Sequence, residues 1–311
     1  MSSKTYAIGN GNKPLSYSED KGLTWTWLDV TIPDRPAEVV VRPFYPDEVF
    51  VPIVPDAPAT PGLLKSIDAG LTFNPVSLPS SVKGILRLQF VSADVAFAIA
   101  YQNLNPVSGD IFLISSTDGG NTFTIVEALS VLMPTGFELL TQSFVLNYRD
   151  LIKLYFTDAA EGYVALNLQE IVDTTHYKAI ISKTVNAGDS FETTIEWDKY
   201  SVQALIANNS VNKLLLYVNE MSPTNVGLVY LLDDNLLSSP TFIQQWGTGG
   251  LYDFTGGTDI FYQVEYEPSK VFALDKAPGG GGNSGLLYSD DYGLTWTVQN
   301  LSLPIEFSKI I

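Results

Sequence analysis

Ser66-Ile67-Asp68-Ala69-Gly70-Leu71-Thr72-Phe73 decides the fold of this chain because it recurs. The pattern Ser-x-Asp-x-Gly-x-Thr, followed by Trp or Phe, is repeated at Ser18-Glu19-Asp20-Lys21-Gly22-Leu23-Thr24-Trp25. It returns at Ser116-Thr117-Asp118-Gly119-Gly120-Asn121-Thr122-Phe123 and at Ser289-Asp290-Asp291-Tyr292-Gly293-Leu294-Thr295-Trp296. A worn copy, Thr184-Val185-Asn186-Ala187-Gly188-Asp189-Ser190-Phe191, keeps the same polar chemistry. Asp, Asn and Ser bend a chain by hydrogen-bonding their side-chain oxygens to nearby main-chain N–H groups. Gly takes a positive φ without steric cost, and Thr with an aromatic residue suits the start of a pleated strand. Each octapeptide therefore reads as a β-hairpin turn with an inward aromatic anchor. Apolar strands precede the copies, such as Ile111–Ile114 and Leu286–Tyr288.

The spacing acts as a ruler. Ser18 to Ser66 is 48 residues, Ser66 to Ser116 is 50, Ser116 to Thr184 is 68, and Thr184 to Ser289 is 105. The third interval is one repeat plus an insertion, and the fourth is two repeats with one octapeptide lost. The lost copy falls within 200–246, with Asp233-Asp234 and Thr241-Phe242 as its remains.

These octapeptides resemble the Asp-box, or BNR, repeats of sialidases, Vps10-type sorting receptors and photosystem-assembly propellers. The resemblance covers nearly the whole chain. It implies that each box joins the third and fourth strands of a propeller blade, on the outer rim and away from the central site. Ser18, Asp20, Gly22, Trp25, Ser66, Asp68, Gly70, Phe73, Ser116, Asp118, Gly120, Phe123, Asn186, Gly188, Phe191, Ser289, Asp291, Gly293 and Trp296 are then structural fasteners, with no catalytic role for the carboxylates.

The expected architecture is all-β: a single six-bladed β-propeller over residues 1–311, with roughly 52 residues per blade. Blade 1 is 1–30 plus 305–311, blade 2 is 37–78 and blade 3 is 84–128; an insertion occupies 129–149. Blade 4 is 150–198, blade 5 is 200–246 and blade 6 is 258–300. Only Tyr6-Ala7-Ile8 precedes the first box, so the C-terminal strand is expected to pair into blade 1 and close the ring. Closure removes the sheet edges that an open array would expose.

Composition agrees with one closed all-β domain: 45% of residues are hydrophobic and only 16% charged. There is no Cys, hence no disulfide frame and no thiolate chemistry. The N-terminus lacks a basic-then-apolar signal, and no apolar run is long enough to span a bilayer. A formal charge of −17, with 17 Lys and Arg in no cluster, argues against nucleic-acid binding.

A sialidase-like glycosidase would need arginines to clamp a carboxylate, because the guanidinium fork pairs bidentately. The chain has Arg35, Arg42, Arg87 and Arg149. Arg42, Arg87 and Arg149 are the clamp candidates, since the first two fall on consecutive inner strands and the third just before another. No Arg follows Arg149, and the Phe-Arg-Ile-Pro signature of the catalytic family is missing before Ser18. His176 is the only His, so a His-rich metal site is excluded by count. Asp233-Asp234 and Asp290-Asp291 read as turn residues, and Gly279–Gly282 lacks the Lys-Ser/Thr of a phosphate loop. No cofactor and no metal are expected. The insertion reads either as a grafted binding loop or as a longer strand on its own blade, and the Pro-rich stretch 51–61 as a rigid excursion.

The expected function is a non-catalytic interaction propeller that contacts other protein subunits of a large assembly. A bacteriophage virion comes first, as a tail, neck or capsid-surface component. The alternatives are a glycan-binding or sialidase-like propeller and an intracellular assembly factor, with secretion or the cytoplasm as alternative locations.

Overall fold

Consecutive residues are buried along several strands, such as Ala96–Tyr101 and Gly162–Gln169, because each is covered on both faces. The computed structural model describes residues 4–8, 15–19, 24–33, 35–54, 60–102, 111–139, 152–173, 175–208, 213–220, 227–233, 241–246, 261–264, 267–275, 285–291, 295 and 297–299. Among them the regular elements are antiparallel strands, apart from one 3-10 turn at Leu129–Leu132. The chain divides into two compact units, within Met1–Val131 and Leu132–Glu306.

In the first unit, β1 (Thr5–Ile8), β2 (Leu15–Ser18) and β3 (Thr26–Trp27) form a three-stranded sheet. The next sheet has β4 (Arg35–Pro36) and β5 (Val40–Arg42) both paired with β6 (Tyr45–Val54). It continues through β7 (Leu63–Ser66) to β8 (Asn74–Pro75). The third runs in order through β9 (Gly84–Phe90), β10 (Ala96–Tyr101), β11 (Ile111–Ser116) and β12 (Thr124–Ala128).

The second unit repeats the plan. Its first sheet has β13 (Phe137–Leu139) and β14 (Ile152–Phe156) both paired with β15 (Gly162–Glu170), then β16 (Tyr177–Thr184) and β17 (Thr193–Asp198). β18 (Tyr200–Asn208), β19 (Lys213–Glu220), β20 (Gly227–Asp233) and β21 (Thr241–Trp246) follow. The last sheet is β22 (Phe261–Val264), β23 (Glu267–Asp275), β24 (Gly285–Ser289) and β25 (Thr297–Gln299).

Strand order in space follows strand order in sequence, and successive sheets pack on one another within each unit. This is a β-propeller arrangement. Between the first two sheets lie Tyr6, Leu15, Leu28, Val39, Val49 and Ile53, all buried. Phe50, Ile85, Leu88, Ala98, Ile114 and Phe123 fill the space between the second and third. In the second unit Tyr163, Ala165, Ile181, Val202 and Leu216 do the same. Small residues on inner strands, such as Ala96, Ala98 and Ala100, let neighbouring sheets approach closely.

The expected closed ring of six blades is corrected here: the described strands make a partial propeller. The first sheet has three strands, and the strand meant to complete it, 305–311, lies outside the described residues. The turn between β20 and β21, where the lost octapeptide was placed, also lies outside them. Part of the insertion is a strand: Phe137–Leu139 pairs with Leu168–Glu170, beyond the stretch of β15 that β14 covers. Residues 140–149 of the insertion lie outside the described residues.

Candidate functional site

The octapeptide turns shape one end of the sheets that contain Ser66, Ser116 and Thr184. In the second sheet Ser66 Oγ donates to Asp68 Oδ1 at 2.7 Å and accepts from Gly70 N at 2.8 Å. Asp68 accepts from the Thr72 amide at 2.8 Å and the Thr72 hydroxyl at 2.6 Å. Ser116, Asp118, Gly120 and Thr122 repeat this wiring within 0.2 Å, and Asp118 takes the Asn121 amide as well. In the worn copy Thr184 replaces Ser, and the Asn186 carboxamide accepts from Ser190 N and donates to Ser190 Oγ. Ser289, Asp291 and Thr295 keep the corresponding bonds. Ser18 is buried, and Asp20, Gly22, Gly293 and Trp296 lie outside the described residues. The Thr72 hydroxyl and amide hold the Asp68 carboxyl down at about 2. Partial burial pushes the Asp118 carboxyl up, but the Thr122, Ser116 and Asn121 donors outweigh it and leave it at about 2.

Two features of the turn are absent from the sequence reading. The residue before the glycine is also left-handed: φ is 58° at Ala69, 72° at Gly119 and 61° at Ala187. Its amide donates to a carbonyl of the neighbouring hairpin in the same sheet: Ala69 to Asp47 near the start of β6, and Gly119 to Asp94 and Ala187 to Ala160 in the turns before β10 and β15. Each octapeptide is thereby tied to the neighbouring hairpin of its own sheet. The glycine itself faces the preceding sheet. A Cβ on Gly70 would meet Leu28, and one on Gly120 would meet Phe50. The Tyr6 hydroxyl reaches across to the Ala69 carbonyl at 3.3 Å, and burial, with Asp47 nearby, raises it to about 12. Of the aromatic anchors, Phe123 is buried, whereas Phe73 and Phe191 are half-buried.

Arg42 and Arg87 lie between sheets. Arg42, at the end of β5, makes a bidentate bond to Glu48 at 2.9 and 3.0 Å. It also bonds Asp94 at 3.0 Å and the Ala93 carbonyl, both in the turn between β9 and β10 of the next sheet. Lys65 joins the same group, 2.7 Å from Glu48 and 2.9 Å from Asn121 of the next octapeptide. Burial pushes the Glu48 carboxyl up, but its bonds to Lys65 and Arg42 win and hold it below the usual carboxylate range. Arg87 on β9 pairs with Glu38 at 3.6 Å, their side chains 9% and 4% exposed, and Glu38 also accepts from the Leu88 amide. Glu38 sits in the break between β4 and β5, so the interrupted strand turns a carboxylate toward the neighbouring sheet. The structure thus places Arg42 and Arg87 in separate ion-paired positions, and Arg149 lies outside the described residues.

His176 precedes β16, with Nδ1 at 2.8 Å from Glu170 and Nε2 at 3.8 Å from Asp198. Phe137 meets its ring edge-on at 5.6 Å. Among the described residues no cluster of three or more His, Cys, Asp or Glu could hold a metal ion, and no helix is long and apolar enough to cross a membrane. The octapeptide end of the first unit carries carboxylates and exposed apolar side chains. Asp47, Asp68, Asp94 and Asp118 stand there beside exposed Phe44, Tyr45, Ile67 and Leu71.

No family model matches the chain, and no curated protein matches it. Solved structures do. A GH74 xyloglucanase from Xanthomonas campestris is 12% identical, with 98% of this chain and 52% of that one covered and a TM-score of 0.38. The chain therefore spans about half the length of that protein. YCF48 from Cyanidioschyzon merolae is 16% identical over 89% of both chains, with a TM-score of 0.39. A putative 6-phosphogluconolactonase from Bacteroides uniformis is 7% identical, with 99% and 98% covered and a TM-score of 0.52. None of these names a virion protein, so the virion expectation gains no support from them. The expectation that the chain is not an enzyme is withdrawn. Two of the similar solved structures, with TM-scores of 0.52 and 0.51, carry the name of an enzyme, a putative 6-phosphogluconolactonase, from Bacteroides uniformis and Bacteroides fragilis. The chain is similar in fold to these β-propellers.

Proposed function

We propose that this chain is an interaction propeller: a scaffold of Asp-box blades that docks as one subunit of a larger protein assembly. The observation that carries the reading is the state of its inner-strand arginines. Arg42 and Arg87, the groups best suited to grip an anionic ligand, are engaged by Glu48, Asp94 and Glu38. They are used to hold one sheet against the next, while aromatic and aliphatic side chains stand exposed at a sheet end. Such a division suits a rigid body that binds through its loops. Closure into a six-bladed ring by the C-terminal strand, and location in a virion, belong to the same proposal. They are motivated by the repeat spacing and by the acidic, cysteine-free composition.

Size-resolved fractionation of the native source, with the chain followed by mass spectrometry, tests the reading. Elution well above the 34.0 kDa of one chain supports it. Elution as a free monomer at native concentration overturns it. Presence or absence in purified virions decides the location separately.

A further inference from the structure

The repeats provide their own control for what the fold requires. The second and sixth positions of the octapeptide point outward in every described copy. In the third sheet they are Thr117 and Asn121, and in the worn copy Val185 and Asp189. In the second sheet both are large and apolar: Ile67 is 68% exposed and Leu71 is 64% exposed. Leucine recurs at the sixth position as Leu23 and Leu294, so the departure peculiar to the second sheet is Ile67. The hydrogen bonds of the second, third and worn copies coincide, so the turn itself does not demand aliphatic side chains there.

The neighbouring hairpin shows the same asymmetry. Between β9 and β10, and between β14 and β15, the turns carry Ser92-Ala93-Asp94 and Asp158-Ala159-Ala160. Aligned on the carbonyl that takes the octapeptide amide, the equivalent segment is Tyr45-Pro46-Asp47, preceded by the Pro43-Phe44 turn. Phe44 is 75% exposed and left-handed, with φ at 65°. After a proline, turn chemistry calls for Gly or Asn at that position. A bulky residue held there is strained, and strain of this kind collects at functional sites. Tyr45 is stacked on the Arg42 guanidinium at 4.1 Å, which fixes an exposed ring in place. The bond from Ala69 N to Asp47 O ties this hairpin to the octapeptide that carries Ile67 and Leu71.

We propose that Phe44, Tyr45, Ile67 and Leu71 form a docking surface for a protein segment that is apolar at its centre and basic at its flanks. Charge selects the occupant. Among the described residues at this end, Asp47, Glu48, Asp68, Asp94 and Asp118 stand with the cations Arg42 and Lys65, and both cations are already engaged by Glu48. The excess is negative. A second copy of this chain, at −17 formal charge, would bring like charge to like. The inference rests on the interaction reading and names its surface and partner chemistry.

The test uses the full chain and an array of short peptides with an aromatic–aliphatic centre. The flanks are Lys/Arg, Asp/Glu or Ser. The variant is Phe44→Asn with Ile67→Thr and Leu71→Asn; the last two copy the third sheet, and Asn suits a positive φ. Leu71→Asn alone serves as the milder second variant. The wild type is expected to hold the basic-flanked class about tenfold more tightly than the acidic-flanked class, weakening with salt. The triple variant is expected to fold and to lose about tenfold in affinity. Equal binding by the triple variant overturns the surface while leaving the interaction reading intact. Lack of preference among the flanks overturns the basic partner. Self-association that the triple variant abolishes, measured by sedimentation, overturns it in favour of a second copy. No binding to any class overturns the proposal, and the fractionation experiment then decides separately whether the interaction reading stands.

Discussion

The Arg42 guanidinium lies directly against the backbone of Gly119, so a single methyl group on that glycine would occupy the space of the ion pair. Ala69 and Ala187 hold the same left-handed position in other copies, which shows that the backbone tolerates alanine there. Gly119→Ala is therefore expected to destabilise the first unit mainly by displacing Arg42, at a cost of about 2 kcal/mol. A double-mutant cycle with Arg42→Met, read by denaturant unfolding, should recover most of that cost. Additive effects would show that the guanidinium contact does not matter.

Glu38 and Arg87 form the most buried ion pair described, and removing one partner leaves a charge out of water. Glu38→Ala should cost about 3 kcal/mol or more. Glu38→Leu with Arg87→Met should cost clearly less than Glu38→Ala alone. Thermal unfolding of the two variants compares them.

Acid stability follows from the octapeptide carboxyls. Asp68 and Asp118 sit at about 2, below the ordinary 3.8 expected when unfolded. A depressed carboxyl contributes stability above its unfolded value and loses it as pH falls through its folded value. The melting temperature should therefore drop from about pH 4 toward about pH 2. Asn186 shows that a carboxamide can hold the same turn, so Asp68→Asn with Asp118→Asn should fold and give a shallower acid limb. An unchanged limb would assign acid lability to other groups.

Asn167 on β15 acts as a strand partner for the next sheet. Its side chain donates to Val202 O at 2.9 Å and accepts from Val202 N at 2.7 Å, at the irregularity between Val202 and Ala204 in the β18–β19 pairing. Asn167→Ala should cost about 2 kcal/mol by stripping buried main-chain groups. Amide exchange at Val202 should accelerate well beyond that at Leu216.

The local half of this structure was legible from residue order. Turn chemistry locates Ser66–Phe73 and Ser116–Phe123, and the apolar runs Ile111–Ile114 and Leu286–Tyr288 fall within β11 and β24. Contacts between sheets were not legible, because they join residues far apart in the chain: Arg42 to Asp94, Glu38 to Leu88, Asn167 to Val202. Arg42 and Arg87 were seen as potential ligand grips since their partners could not be paired by position. The left-handed Ala69 and Ala187 were hidden because Ala carries no signal for positive φ. Reading the copies column by column would have exposed Ile67 as a departure, since Glu19, Thr117 and Asp290 stand in its place, whereas Leu71 is shared with Leu23 and Leu294.

The ties between sheets described here run mostly between neighbours in sequence: Tyr6 with Ala69, Arg42 with Asp94, Asn167 with Val202. During synthesis each joint can form once the following sheet has emerged, without waiting for the C-terminus. Folding of such an array is expected to advance by successive local closures, with the separation along the chain setting the pace of each.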